Sequence, residues 1–155
     1  PMVDAWLHNP ALLRFLGWAN GGDARPLILQ VERKRPGKAE GYETLHVDTS
    51  AHTVKVYVCL TAMTAPTGAL RYARGTHRWQ AFPWIVTALA RGHKNFTPQM
   101  LAQHGVALRP IEAAAGTVLG FSGNGLHCAT ALPPGAPECW TLQVYYQQLQ
   151  PWKCG

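Results

Sequence analysis

Hydrophobic and polar residues alternate most clearly between residues 54 and 61. The even positions of this stretch are Val, Val, Val and Leu, and the odd positions are Lys, Tyr, Cys and Thr. Alternation with a period of two, together with many β-branched residues, predicts a β-strand. We expect one face of this strand to pack on a hydrophobic core and the other face to be polar.

Shorter stretches with similar patterns predict the remaining elements. We predict strands at residues 26–31, 68–75, 116–121, 126–131 and 140–146, and a short extended segment at 42–48. Helices are predicted only at 11–17, 83–92 and 97–104, the first beginning after Asn9-Pro10 and ending at Gly17. Asn124-Gly125 predicts a tight turn with the positive φ that short hairpins require. Many short strands between glycine and proline turns indicate a mainly β fold, a sandwich or a barrel.

The composition narrows the class of protein further. The chain has 155 residues, of which 47% are hydrophobic and only 14% are charged, with 15 Gly and 12 Pro. This composition excludes a coiled coil, and the six Trp and five Tyr argue against disorder. No apolar run reaches the length of a membrane span. We therefore expect one globular domain covering residues 1–155, with no membrane span.

Charge and cysteine content suggest the surroundings of the protein. The net charge is +6, but the densest basic cluster, at residues 33–35, stands beside Pro36-Gly37 and is interpreted as a solvated turn. The four cysteines form no Cys-x-x-Cys pair. Because the chain also shows no secretion signal, we expect reduced thiols. A reducing compartment, most simply the cytoplasm, is the predicted location.

The candidate chemistry begins with the motif His46-Val47-Asp48. Residues two apart on a strand point to the same side, so an imidazole and a carboxylate would converge there. His127 follows the predicted strand at 116–121 and the turn after it. Two histidines and one carboxylate on one face, with open positions, are typical of non-haem Fe(II) oxygenases. A His-x-Asp motif is common by chance, so by itself the motif at 46–48 is weak evidence for a metal site. For His127, an ordinary histidine at the edge of a loop stays an open alternative.

The order and spacing of several motifs resemble the phytanoyl-CoA dioxygenase family. These motifs are His46-Val47-Asp48, the strand running into residues 61–63, Thr67-Gly68-Ala69-Leu70, Gly75-Thr76-His77, the strand at 115–121 followed by His127, and the strand at 142–146. The resemblance covers roughly residues 9–148. Members of the family usually run to nearly twice this length, so the chain is either a fragment or a minimal member.

The resemblance implies a fold, a reaction and a set of metal ligands. The fold would be a double-stranded β-helix, a jelly-roll or cupin-like barrel. The activity would be that of an Fe(II)- and 2-oxoglutarate-dependent dioxygenase, which uses O2 to hydroxylate a small or larger organic substrate that the sequence does not identify. His46, Asp48 and His127 would bind the iron. Related halogenases carry a small residue at the carboxylate position, so Asp48 favours hydroxylation. The oligomeric state is not predicted.

One position departs from the family pattern. The family binds the far carboxylate of 2-oxoglutarate with an arginine on the last core strand, and that position is Cys139 here. Arginine suits a buried carboxylate because it donates two parallel hydrogen bonds. Candidate replacement cations are Arg33, Arg35, Arg71 and Arg74. Gln30 and His52 are weaker candidates for cosubstrate contact.

Two other classes of function stay open, the first of them because of the departure at Cys139. The first is a cupin-like protein that binds metal but has lost 2-oxoglutarate-dependent oxidation. The second is a basic β-barrel that binds nucleic acid, for which aromatic and basic residues should interleave on one strand face. Only the segment at 71–74 approaches that pattern, so a nucleic-acid partner is not expected.

Overall fold

The structure, a computed structural model, describes residues 2–20, 22–38, 43–48 and 53–151. The helices are α1 Met2–Leu7, α2 Pro10–Asn20, α3 Pro83–Ala90 and α4 Pro98–Gln103, with short 3-10 turns at Ala65–Thr67 and Trp79–Ala81. The strands are β1 Gly22–Lys34, β2 Leu45–His46, β3 Thr53–Cys59, β4 Leu70–Ala73, β5 Asn95–Phe96, β6 Leu108–Ile111, β7 Val118–Ser122, β8 His127–Ala129 and β9 Cys139–Pro151. Each predicted strand and helix coincides with an observed one at shifted bounds, whereas α1, β5 and β6 are not predicted.

The strands form two antiparallel sheets. One sheet has four strands in the order β1-β9-β3-β7, and the other has five in the order β5-β2-β8-β4-β6. Neighbours in these sheets are distant in the chain, since β9 lies between β1 and β3 and β8 lies between β2 and β4. The predicted mainly β fold with a few short helices is confirmed.

Strand β3 is buried on both faces, so the prediction of a single buried face is wrong. Val54 and Val56 are 5% and 2% exposed and belong to a cluster that includes Leu16 of helix α2. Lys55 and Tyr57 alternate with them and are 4% and 7% exposed. The second face is covered because the two sheets stack with β3 on the inside. Polar residues on that face therefore belong to the interior of the protein.

Helix α2 is longer than the sequence predicts. The predicted stop at Gly17 is wrong, because the helix continues to Asn20 and Gly17 is buried within it. Glycine inside a helix costs about 1 kcal/mol relative to alanine, and packing of α2 on the four-stranded sheet offsets that cost. Within the part of the chain that the structure describes, no helix combines the length and apolar character needed to cross a membrane.

The start of helix α2 is capped as predicted from Asn9-Pro10. The side-chain oxygen of Asn9 accepts hydrogen bonds from the backbone N–H groups of Ala11, at 2.9 Å, and Leu12, at 3.2 Å. We expect Asn9→Ala to lower the free energy of unfolding by about 1 kcal/mol, measured by urea denaturation, because both N–H groups lose this acceptor. Asn9→Ser, which keeps a capping oxygen, should unfold like the parent chain. Equal losses in the two variants would contradict the capping role.

Candidate metal centre

Two histidines face each other across neighbouring strands of the five-stranded sheet. His46 on β2 and His127 on β8 are direct partners in the antiparallel register, and their ring centroids lie 4.6 Å apart. Asp48 lies two residues beyond the end of β2 rather than within a strand. The three side chains still converge, because one potential ligand atom from each lies within 4.8 Å of the other two.

Backbone carbonyls fix the orientation of both imidazole rings. Nδ1 of His46 lies 2.6 Å from the carbonyl oxygen of Thr44, and Nδ1 of His127 lies 2.8 Å from that of Gly125. A carbonyl oxygen only accepts, so each Nδ1 carries the proton and donates it. Nε2 of each ring is then directed at Asp48, at 3.6 Å for His46 and 3.4 Å for His127. Metal-binding histidines are commonly held in this way.

The two carboxylate oxygens of Asp48 have different surroundings. Oδ1 accepts a hydrogen bond of 2.7 Å from the ammonium group of Lys55. Oδ2 is buried and has no hydrogen-bond partner within the described residues. A buried charged oxygen without a partner is costly, and a cation between Oδ2 and the two Nε2 atoms would compensate it. The donor set, two imidazoles and one carboxylate, fits Fe(II).

The charge state of Asp48 follows from the same contacts. Burial by itself raises the pKa of Asp48, but the imidazoles of His127 and His46 beside the carboxylate, and then the charge of Lys55, hold that pKa well below its usual range. The carboxylate of Asp48 in turn raises the pKa of His46. Asp48 is therefore the ionised carboxylate that a divalent metal needs as a ligand.

The glycines of segment 122–125 make room for the site. The predicted positive φ at Asn124-Gly125 is wrong, because neither residue has one. A Cβ atom on Gly123 would lie 2.6 Å from Oδ2 of Asp48 and 2.6 Å from Oγ1 of Thr53, and a Cβ atom on Gly125 would overlap the hydroxyl of Tyr72. Glycine is needed here for close approach rather than for backbone conformation.

A methyl group at position 123 tests this close approach. We expect Gly123→Ala to weaken Fe(II) binding by about 10- to 100-fold, the range found for groups that orient metal ligands, because the carboxylate of Asp48 must move. Gly120→Ala is the matched control, since a Cβ atom on Gly120 of strand β7 meets nothing within 4 Å. Metal titration by calorimetry measures both. Equal affinities in the two variants would remove Gly123 from the site.

Two aromatic rings enclose His127. The ring of Tyr72 stacks on it at a centroid distance of 6.3 Å, and the ring of Phe121 meets it edge-on at 5.3 Å. The hydroxyl of Tyr72 donates to the carbonyl oxygen of Ser122 at 3.1 Å. Burial, together with the charge of Asp48, raises the pKa of Tyr72 to about 12. The phenol is therefore neutral at ordinary pH.

One cavity is lined by the three candidate ligands, and a second adjoins the aromatic rings that enclose His127. The smaller has a volume of about 200 Å³, and its wall consists of His46, Asp48, His127, Glu32, Lys34, Lys55, Tyr57, Leu70, Cys128, Ala129 and Tyr145. The larger, of about 760 Å³, runs beside helix α2, and Tyr72 and Phe121 form part of its wall. These two rings therefore contact both His127 and the larger cavity.

The other predicted cosubstrate residues lie elsewhere. Gln30 donates a hydrogen bond of 3.2 Å to Gln143, and the guanidinium of Arg33 pairs with both carboxylate oxygens of Glu138, at 2.5 and 2.9 Å. Neither Gln30 nor Arg33 is in the wall of the smaller cavity. His52 lies outside the described residues. The cosubstrate roles of these three residues stay predictions.

The structure adds two lysines that sequence reasoning missed. Lys34 at the end of β1 and Lys55 on β3 are 9% and 4% exposed and reach the smaller cavity. The signal for Lys55 was present in the alternation of β3, whose odd positions carry the polar side chains. Lys34 stands in the basic cluster at 33–35, where a solvated turn is predicted. That prediction is wrong for Lys34, because β1 continues through it and pairs with β9.

Comparison with protein families identifies the chain. A family model described as Phytanoyl-CoA dioxygenase (PhyH) matches residues 26–132, which is more than half of the sequence. The chain belongs to the PhyH family, as the resemblance of its motifs indicates. This is a family of oxygenases that use Fe(II) and 2-oxoglutarate. No curated protein sequence matches the chain.

Three solved structures are among those whose fold is similar to that of this chain. EvdMO1 is 16% identical with a TM-score of 0.67, covering 94% of this chain and 32% of EvdMO1. AviO1 from Streptomyces viridochromogenes Tue57 is 14% identical with a TM-score of 0.63, covering 96% of this chain and 62% of AviO1. HygX from Streptomyces hygroscopicus, solved with nickel and 2-oxoglutarate bound, is 18% identical with a TM-score of 0.67, covering 99% of this chain and 68% of HygX.

These likenesses concern the fold. The predicted cupin-like barrel is confirmed. The chain spans from about a third to about two thirds of the three proteins, with 32% of EvdMO1 and 68% of HygX as the extremes.

Proposed function

We propose that the chain, as a single domain of residues 1–155, is a dioxygenase that uses Fe(II) and 2-oxoglutarate to hydroxylate an organic substrate. The observation that carries this proposal is the buried, unpartnered Oδ2 of Asp48, toward which Nε2 of His127 is directed, with Nε2 of His46 beside the same carboxylate. Three such donors on one face of an ion leave positions open for a chelating cosubstrate and O2. Family membership supports the same conclusion.

Each residue of the site has a defined task in this proposal. His46 and His127 would bind the iron through Nε2, and Asp48 would bind it through Oδ2. Bound Fe(II) and 2-oxoglutarate supply the oxidising power, with decarboxylation of the cosubstrate to succinate coupled to oxidation of a C–H bond. Lys55 holds the second oxygen of Asp48 in place. Because the carboxylate of Asp48 takes the position that halogenases leave free for halide, hydroxylation is the favoured outcome.

The larger cavity is the proposed place for the organic substrate. It adjoins Tyr72 and Phe121, which contact His127, and its volume of about 760 Å³ is in the range of pockets for small organic molecules. Leu12, Phe15 and Val56 contribute apolar side chains to its wall. A substrate with a substantial apolar part fits this lining. Tyr72 and Phe121 would also keep water away from the imidazole of His127.

A second candidate function rests on Cys139. This residue is 1% exposed and packs with Cys59, Met63 and Leu132, so it supplies no cation for a cosubstrate. A protein that binds metal at the same three residues without oxidation would be consistent with that replacement.

Succinate formation separates the two functions. We expect the chain to release succinate from 2-oxoglutarate in the presence of Fe(II), O2 and ascorbate as the reductant, even without added substrate, and to release none when iron is omitted. Asp48→Ala should abolish the release, whereas Asp4→Ala, in an exposed part of helix α1, should not change it. Iron uptake without succinate would instead support the metal-binding function.

A further inference from the structure

We infer that Lys34 binds the far carboxylate of 2-oxoglutarate, taking over the task of the arginine that the family carries where this chain has Cys139. This inference rests on the proposed function. It concerns a residue that neither the motif pattern nor the family match assigns.

The register of β1 and β9 places Lys34 directly opposite Cys139. Side chains of directly opposed residues in an antiparallel pair lie on the same face of the sheet, a few ångströms apart. A cation carried by β1 at this position therefore serves the same region as a cation carried by β9. The loss of an arginine at position 139 can be compensated by a lysine at position 34 without any change of fold.

The ammonium group of Lys34 is buried but only loosely paired. The residue is 9% exposed, and Nζ lies 3.4 Å from the carbonyl oxygen of Gly68 and 3.9 Å from Oε1 of Glu32. Both distances exceed those of good N–H···O hydrogen bonds, whereas an ammonium group has three N–H groups to donate. Burying a charge with so little compensation is costly. A ligand carboxylate in the smaller cavity would complete the shell of Lys34.

Two competing cations, Lys55 and Arg33, are already paired with carboxylates. Among the described residues, Lys34 and Lys55 are the cations in the wall of the smaller cavity. Nζ of Lys55 lies 2.7 Å from Oδ1 of Asp48 and 3.5 Å from Nε2 of His127, so it sits among the candidate metal ligands. If 2-oxoglutarate bound the metal through the oxygens on its first two carbons, its far carboxylate would point away from Lys55. Arg33 is paired with Glu138 outside this cavity.

The charges around the smaller cavity suit a dianion. The two lysines, Lys34 and Lys55, are balanced by the two carboxylates of Glu32 and Asp48. A divalent metal would leave the cavity with two uncompensated positive charges, and 2-oxoglutarate carries two negative ones. The volume of about 200 Å³ is below the range of drug-sized pockets and suits a small acid.

A comparison of two oxo acids isolates the contact. The protein, loaded with Co(II) without O2, is titrated by calorimetry with 2-oxoglutarate and with 2-oxopentanoate, which lacks the far carboxylate. We expect the parent chain to bind 2-oxoglutarate about 10- to 100-fold more tightly, the range for hydrogen bonds to charged groups. Lys34→Met should abolish this preference and leave the affinity for 2-oxopentanoate unchanged. Lys34→Arg should keep the preference.

Controls make each outcome decisive. Lys38→Met, at an exposed lysine shortly after β1, should behave like the parent chain. Co(II) affinity, measured for every variant, reports whether the centre is intact, and we expect Lys34→Met to leave it unchanged. The inference is overturned if Lys34→Met keeps the preference, or if Lys55→Met alone removes it with Co(II) binding preserved. Equal binding of both acids by the parent chain also overturns it. If the Co(II)-loaded parent chain binds neither acid, the proposed function itself fails.

Discussion

Asp48→Asn is expected to weaken Fe(II) binding by more than about 100-fold. Substituting residues that only orient metal ligands costs about 10- to 100-fold in affinity, and Asp48 is the single anion among the three candidate ligands. The variant keeps the shape of the side chain but removes its charge. The ammonium of Lys55, which lies 2.7 Å from Asp48 Oδ1 in the parent chain, would then repel the incoming cation without compensation.

Calorimetric titration with Fe(II) under anaerobic conditions measures this change in affinity. Asp4→Asn is the matched control, because Asp4 has the same chemistry but its side chain is 80% exposed on helix α1. It should bind Fe(II) as the parent chain does. Binding of Fe(II) by Asp48→Asn with the affinity of the parent chain would show that the metal, if bound, lies elsewhere.

The second large effect concerns the stability of the metal-free protein. We expect Asp48→Asn to lower the free energy of unfolding by about 3–5 kcal/mol in the presence of a chelator, the cost of leaving one member of a buried ion pair unpaired. Lys55 is 4% exposed and Asp48 is the carboxylate that pairs with its ammonium. Removing both charges, as in the double variant Asp48→Asn with Lys55→Met, should restore most of the loss.

Urea denaturation of the four proteins in this double-mutant cycle measures the coupling. A strongly negative interaction is expected, meaning that the double variant is more stable than the sum of the single effects predicts. Additive losses would indicate that Lys55 and Asp48 do not depend on each other. Adding Co(II) to the parent chain provides the comparison with a loaded site, since a ligand that binds only the folded state raises its stability.

The candidate centre could be predicted largely because it depends on local spacing. His46 and Asp48 are two residues apart, so the geometry of an extended chain brings them to one side, and His127 follows a strand whose pattern is clear. What the sequence could not show is that His46 and His127 are direct partners in the sheet. That register depends on hydrogen bonds between segments that are far apart in the chain.

The remaining errors have the same physical origin. The alternation in β3 predicts one face on the core, but the polar face is enclosed as well, which makes Lys55 an interior residue. Asn124-Gly125 predicts a turn with positive φ, whereas the glycine beside it, Gly123, is needed because Asp48 approaches it closely from the segment after β2. Local patterns predict which residues are extended or helical, whereas tertiary packing decides which neighbours they meet.

The pairing of Lys34 with Cys139 across β1 and β9 has a wider consequence for how enzymes of this kind are recognised. A search of aligned sequences that requires an arginine at the position of Cys139 would classify this chain as unable to bind 2-oxoglutarate. Directly opposed residues of two paired strands lie at the same place in the sheet, so either strand can carry the charged side chain. Judging whether a relative has retained its acid-binding group therefore requires inspecting cross-strand pairs instead of single columns.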